Sequence, residues 1–144
     1  MNFHKCLINN IEDNIYLSDW CGATNIEILK ELNIGRIISL GNEKEQEFYV
    51  FHKDIEYLKI FIEDSKDSNI SIYFDKINIF ISQSSKGVLI HCNKGISRSV
   101  TIVIAYLMNK GMSYSKAFNK IKKIRPCIKP NIGFIQQLHS FSFI

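Results

Sequence analysis

Between Gly87 and Met108 the chain passes from a short apolar run, through a polar segment, into a second apolar stretch. Gly87-Val88-Leu89-Ile90 predicts a strand at the centre of a sheet covered on both faces, because it is apolar without alternation. Val100 to Met108 is apolar almost all round and predicts a buried helix that ends at Gly111. The residues between, His91-Cys92-Asn93-Lys94-Gly95-Ile96-Ser97-Arg98-Ser99, then join the carboxyl end of a strand to the N-terminus of a helix. A loop in that position turns backbone N–H groups inward and is backed by the helix dipole, so it forms an anion cradle. This one stretch limits the chain to an α/β fold with a binding loop at the strand ends.

The rest of the sequence supplies matching elements. Ile15-Tyr16-Leu17 predicts a strand, and Ser18-Asp19 a turn. Asn25 to Leu32 places Ile26, Leu29 and Leu32 at helical spacing, with Gly35 as the C-terminal stop. Arg36 to Leu40 predicts a strand running into a polar loop from Gly41 to Gln46, and Glu56 to Ile62 another strand. Ser68 is a candidate cap for a helix from Asn69 to about Gln83 that buries Tyr73, Ile77 and Phe80 or Ile81. Ser113 caps a helix to about Ile124, stopped by Pro126, and Asn131 opens a last helix with Phe134, Ile135 and Leu138 inward. The expectation is one domain over 1–144: a central, mostly parallel or mixed β-sheet flanked by α-helices, without repeat or linker.

Composition matters where it narrows function. At 144 residues the chain suits one domain, and a 46% hydrophobic, 22% charged balance is that of a soluble globular protein. The net charge of +4 fits an anionic substrate but is too small for a nucleic-acid-binding signature. Lys116, Lys120, Lys122, Lys123 and Lys129 make the last third basic, which reads first as a solvated helix face. No long apolar run follows Met1, and position 2 is not Gly, so neither a signal peptide, a membrane span nor a myristoylation start is expected. Cys6, Cys21, Cys92 and Cys127 lack a CxxC pair, which argues against a zinc site or a disulfide framework. A reducing compartment follows, cytoplasmic with a nuclear location not excluded. No metal or other cofactor is expected, and no oligomeric state is assigned.

Arg36, Arg98 and Arg125 are the only arginines in a lysine-rich chain, and one of them stands six positions after a cysteine. Cys92 at the base of the cradle lies where a positive field favours thiolate over thiol. Arg98 can grip two phosphoryl oxygens in a fork that lysine cannot reproduce. Gly95 lets the backbone bend and approach a ligand. Ser99 is placed to donate a hydrogen bond to the Cys92 sulfur. The bland reading is a core cysteine with an unrelated arginine nearby, and the polar, glycine-containing loop disfavours it.

HCNKGISRS resembles the phosphate-binding loop HCxxGxxR(S/T) of the protein tyrosine phosphatase superfamily, and most closely its dual-specificity branch. Asn14 to Leu17, Leu32 to Ile37, Ala105 to Met108, Pro130 to Phe134 and Gln137-Leu138 also look like family segments, so the likeness spans nearly the whole chain. The resemblance implies a minimal catalytic domain that removes phosphate from phosphotyrosine and phosphoserine or phosphothreonine in proteins. It implies Cys92 as nucleophile, Arg98 as clamp and Ser99 as leaving-group helper. His91, Asn93, Lys94, Gly95, Ile96 and Ser97 are its substrate-binding loop, and Asn131 braces that loop. In the family an aspartate upstream acts as general acid; Asp64 stands in that position, with Asp67 and Glu63 as rivals. Lys94 departs from the small or acidic residue common at its position, as a rim charge or, more simply, a solvated one. The Asn131 reading coexists with a plain helix cap, and the His91 reading with a histidine satisfied by backbone hydrogen bonds.

Other readings stay open at this point. Phosphoinositides and triphosphate-ended RNA are hydrolysed by relatives of the same loop type. A pseudophosphatase would bind phosphoproteins without turnover, although such proteins usually lack the Cys, the Arg or the acid. A low-pKa cysteine in such a loop is also open to oxidation, so redox sensing is compatible with catalysis.

Overall fold

The computed structural model describes residues 8–143. Its centre is a five-stranded sheet in the order β1-β2-β5-β3-β4, with β1 (Ile8–Glu12), β2 (Ile15–Ser18), β3 (Ile34–Gly41), β4 (Glu56–Phe61) and β5 (Gly87–His91). Only β1 runs antiparallel, to β2, across a tight turn in which Asp13 takes a positive φ of 43°. The β2–β5, β5–β3 and β3–β4 pairs are parallel. The sheet is therefore mixed and mostly parallel, as expected.

β5 lies between β2 and β3 and is buried along its whole length. Its alternation divides the core. Val88 and Ile90 join Ile15, Leu17, Ile38 and Leu40 under α4 (Phe74–Ser82), α5 (Arg98–Asn109), α6 (Tyr114–Ile124) and α7 (Ile132–Ser140). Leu89 and Ile37 point the other way, towards Ala23 of α1 (Trp20–Thr24) and Leu29 of α2 (Ile26–Glu31). α5 is the central helix, with Val100, Val103, Ile104 and Leu107 fully buried. In register, Ser18, His91 and Ser39 pair at the carboxyl ends of β2, β5 and β3. Ligands of open α/β sheets bind beyond those ends.

Several local expectations are corrected. Ser18-Asp19 is more than a turn, since the Asp19 side chain accepts from Gly22 N–H and caps α1. Asn33, with φ 55°, ends α2 in place of Gly35, which belongs to β3. The segment from Gly41 to Gln46 is mostly helix, α3 (Glu43–Phe48). Asn42 and Glu45 close a reciprocal capping box there. Ser68 caps nothing; a 3₁₀ turn over Ser71–Tyr73 leads into α4 instead. Ile135 is half-buried, unlike Phe134 and Leu138. Strand β1 was not anticipated, because Asn9 and Asn10 interrupt its apolar pattern. The expected caps at Ser113 and Asn131 and the end of α5 near Gly111 are present. Met1 to Cys6 lie outside the described residues.

Candidate active site

The loop from Cys92 to Ser97 leaves β5 and enters α5. Side chains accept backbone N–H groups at the N-termini of α1, α2, α3, α6 and α7, whereas α5 has no such side-chain cap. Its first-turn N–H groups therefore face the loop, where an anion can take them. Cys92 is 3% exposed at the loop's base. Its Sγ lies 3.1 Å from Ser99 Oγ, and Gly95 N–H donates to it at 3.3 Å. Gly95 has φ +67°, and a Cβ there would meet Ser18 O at 2.7 Å, so the loop requires glycine on two grounds.

Arg98 is 6% exposed. Its Nη1 donates to Glu45 Oε1 at 2.6 Å and to the Ile62 carbonyl at 2.9 Å, and Nη2 donates to Glu45 Oε2 at 2.8 Å. Its Nε is buried and has no partner. A buried donor without an acceptor is costly, and this one stands at the uncapped N-terminus of α5, where an anion can be bound. Burial works against the Arg98 charge, but the Glu45 hydrogen bonds and the charges of Cys92, Glu45 and Tyr49 outweigh it and raise the guanidinium pKa. Arg98 also holds the Glu45 carboxyl below its usual range, with the Asn42 N–H adding to the effect against desolvation.

His91 is 1% exposed and pushed down to about 4, chiefly by burial. Its Nδ1 lies 3.1 Å from the Cys92 carbonyl, which can only accept, so Nδ1 carries the proton. Nε2 then accepts from the Ser39 hydroxyl at 2.7 Å. The ring packs edge-on against Tyr49, with centroids 4.7 Å apart.

Asp64 follows Ile62 on an exposed loop, and Asn131 Nδ2 donates to its Oδ1 at 2.9 Å. The Asn131 N–H donates to Ser97 Oγ at 3.0 Å, while its own Oδ1 accepts from Phe134 N–H and caps α7. Asn131 is thus both cap and link between Asp64 and the Cys92–Ser97 loop. Asp64 shares a groove of about 720 Å³ with Ile96, Ser97 and Asn131. Glu63 is turned towards Asn42 instead, and Asp67 is exposed beyond the Ser65 turn. The Asp64 loop is held from behind: Gln137 Oε1 accepts from Ile70 and Ser71 N–H, and its Nε2 donates to Ser68 O. Gly133 packs so tightly that a Cβ would overlap the Lys66 backbone.

Asn93 lines a second groove, of about 600 Å³, with Trp20, Phe48 and Tyr49. Lys94 is exposed. The basic surface is in part structural, because Lys120 pairs with Glu12 at 2.7 Å and ties α6 to β1. Glu45, Gln137 and Arg125 are the site residues that the sequence reading missed. The Asn42/Glu45 pair has capping-box spacing, the one local signal that pointed to α3. Cys92 and Cys127 carry free thiols, whereas Cys21 is disulfide-bonded, which corrects the expectation from the absence of a CxxC pair. Among the described residues no group of three or more His, Cys, Asp or Glu is placed to hold a metal ion.

Residues 15–143 match the family model described as dual specificity phosphatase, catalytic domain. The chain is 38% identical over 132 residues to dual specificity protein phosphatase 1 of Arabidopsis thaliana, covering 89% of this chain and 65% of that protein. It is 36% identical over 138 residues to dual specificity protein phosphatase 1B of the same plant, covering 93% and 81% respectively. The chain therefore spans just under two thirds of the first relative and most of the second. Among solved structures, the human tyrosine phosphatase-like serine/threonine/tyrosine-interacting protein superposes with a TM-score of 0.88 at 34% identity, over 92% of this chain and 93% of that one. With that match over nearly all the described residues, and the Cys92–Arg98 loop at the strand ends, the chain belongs to the dual specificity phosphatase catalytic-domain family.

Proposed function

We propose that this chain is a cysteine-dependent protein phosphatase that hydrolyses phosphotyrosine and phosphoserine or phosphothreonine in phosphoprotein substrates. The observation that carries it is the convergence of the Cys92 sulfur, the Ser99 hydroxyl and the unpartnered Arg98 Nε on one uncapped helix N-terminus. Arg98 uses Nη1 and Nη2 on Glu45, which leaves Nε and the remaining Nη2 hydrogen for two phosphoryl oxygens.

The proposed reaction has two steps and uses those residues together with Asp64. The Cys92 thiolate attacks phosphorus in line, and the bond to the leaving oxygen breaks as Asp64 gives that oxygen its proton. Arg98 and the loop N–H groups hold the equatorial oxygens, where transition-state charge is spread. Asp64, now a carboxylate, takes a proton from water as the water displaces the thiolate from phosphorus, releasing inorganic phosphate. Ser99 donates to the departing sulfur. Cys92 must stay reduced to act, which favours the cytoplasm or nucleus as its place of work, and the Cys21 disulfide is the one observation that points the other way.

The human structural neighbour is a tyrosine phosphatase-like interacting protein, which keeps a binding role in view. Cys92, Arg98 and Asp64 are all present here, and Asp64 is tethered to the loop, which favours turnover over binding alone. The deciding experiment is turnover of phosphotyrosyl and phosphothreonyl peptides, a phosphoinositide and triphosphate-ended RNA, with Cys92→Ser as control. Turnover of the peptides that disappears in Cys92→Ser is expected. Activity that survives in Cys92→Ser would sink the mechanism, and tight peptide binding without turnover by the unsubstituted protein would favour the binder.

A further inference from the structure

Arg125 has no part in the chemistry above, yet it is 7% exposed and lies behind the phosphate loop. Its backbone closes α6, with its N–H on Ile121 O at 2.8 Å, and Pro126 stops the helix there. The side chain turns back across the loop. Nε donates to the Gly95 carbonyl at 2.8 Å and Nη2 to the Lys94 carbonyl at 3.3 Å, while Nη1 donates to Asn9 Oδ1 at 2.9 Å.

A trans peptide is planar, with its C=O and N–H pointing in opposite directions. The plane joining Lys94 to Gly95 is held at both ends: its carbonyl by Arg125, and its N–H on the Cys92 sulfur at 3.3 Å. The next plane has its Gly95 carbonyl on Arg125 Nε, so the Ile96 N–H faces the opposite way, into the loop. Gly95 can take the φ of +67° that lets both carbonyls face outward. The same contact places a guanidinium charge directly behind the cradle.

We infer that Arg125 is a positioning residue, which fixes these two peptide planes with their N–H groups inward and so sets the loop's hold on the Cys92 thiolate and on a phosphoryl group. This rests on the phosphatase reading of the loop and adds a residue that never touches substrate.

The test compares the unsubstituted protein with Arg125→Met and Arg125→Lys. The readouts are inhibition of p-nitrophenyl phosphate turnover by inorganic phosphate, the pH dependence of Cys92 alkylation by iodoacetamide, and thermal unfolding. Alkylation is scored as loss of turnover, so that exposed Cys127 does not contribute. The charged and titratable groups set against the Cys92 thiol are Arg98 and Tyr49, with Glu45 behind Arg98 and His91 on the Cys92 carbonyl, and none of them is substituted. Arg125→Met is expected to weaken phosphate inhibition about tenfold, the effect of losing one to two ordinary hydrogen bonds. The alkylation midpoint should move to higher pH. Arg125→Lys, which keeps the charge but cannot span both carbonyls, should fall between. If Arg125→Met does not fold, Arg125→Lys alone decides. A folded variant with unchanged phosphate inhibition and an unchanged alkylation profile overturns the inference, even if its melting temperature drops. Failure of the unsubstituted protein to bind phosphate or turn over substrate would instead take down the phosphatase reading, and this inference with it.

Discussion

Arg98 gives Nη1 and Nη2 to a structural partner and keeps Nε free for the phosphoryl group proposed above. Glu45 takes Nη1 and Nη2, which fixes the plane of the fork before any phosphate arrives. Glu45→Ala leaves a buried cation without its counter-ion. Breaking such pairs costs about 3–5 kcal/mol when both groups are deeply buried. Here the carboxylate is 19% exposed, so a loss of about 2–3 kcal/mol in urea unfolding is expected. A fall in kcat/KM of about tenfold or more should accompany it. In the proposed mechanism Ser99, 3.1 Å from the Cys92 sulfur, acts later, on sulfur departure. Ser99→Ala should leave the initial burst of leaving-group release nearly intact and slow steady turnover by about 10–100-fold, with phosphocysteine accumulating. A steady rate equal to that of the unsubstituted protein would remove Ser99 from the mechanism. Cys92, Arg98 and Ser99 were legible in the sequence because they lie within one strand–loop–helix unit, whose geometry follows from local pattern. Glu45 and Arg125 were not, because each reaches the loop from a distant element, and nothing at positions 45 or 125 announces the partner.

At the scale of elements, α7 does two jobs through its first cap. Asn131 satisfies Phe134 N–H and also ties Asp64 to Ser97. Asn131→Ala should cost about 1 kcal/mol of stability as a lost N-cap. It should also reduce turnover more for alkyl phosphates, which need a proton on the leaving oxygen, than for p-nitrophenyl phosphate, which needs it less. Equal loss on both substrates would reduce Asn131 to a cap. The N-terminus of α7 was readable, since Asn131 precedes an amphipathic run. Helix α3 was hidden by its polarity: six residues with little apolar pattern resemble a loop until the capping box is recognised. The start of α4 was misread for the opposite reason, because Ser68 suits a cap but its carbonyl is engaged by Gln137 from α7.

For the whole molecule, the site lies at the carboxyl ends of buried parallel strands, and its residues share the core's response to pH. In the unfolded chain His91 protonates as the pH falls through about 6.5, whereas in the folded protein it stays neutral down to about 4. Its contribution is therefore complete above pH 6.5 and declines as the pH falls towards 4, by up to about 3 kcal/mol. Glu12, held down mainly by its Lys120 hydrogen bond, and Glu45, held down by Arg98, add acid sensitivity below about pH 4.5. Denaturant unfolding followed from pH 7 to pH 4 should show this decline, and His91→Asn should flatten it between pH 6.5 and 4.5. An equal slope in both proteins would place the acid sensitivity elsewhere. By itself, the sequence determined the alternating α/β order, the buried β5 and α5, and the Cys92-to-Ser99 loop between them. Those depend on apolar periodicity and turn chemistry, which act over a few residues. Only the tertiary structure decided that Glu45 would engage Arg98, that Asn131 would carry Asp64 to Ser97, and that Arg125 would stand behind the Lys94 and Gly95 carbonyls. Each joins residues 30 or more positions apart, and such pairings are fixed by how strands and helices pack rather than by any property of the segments that supply them.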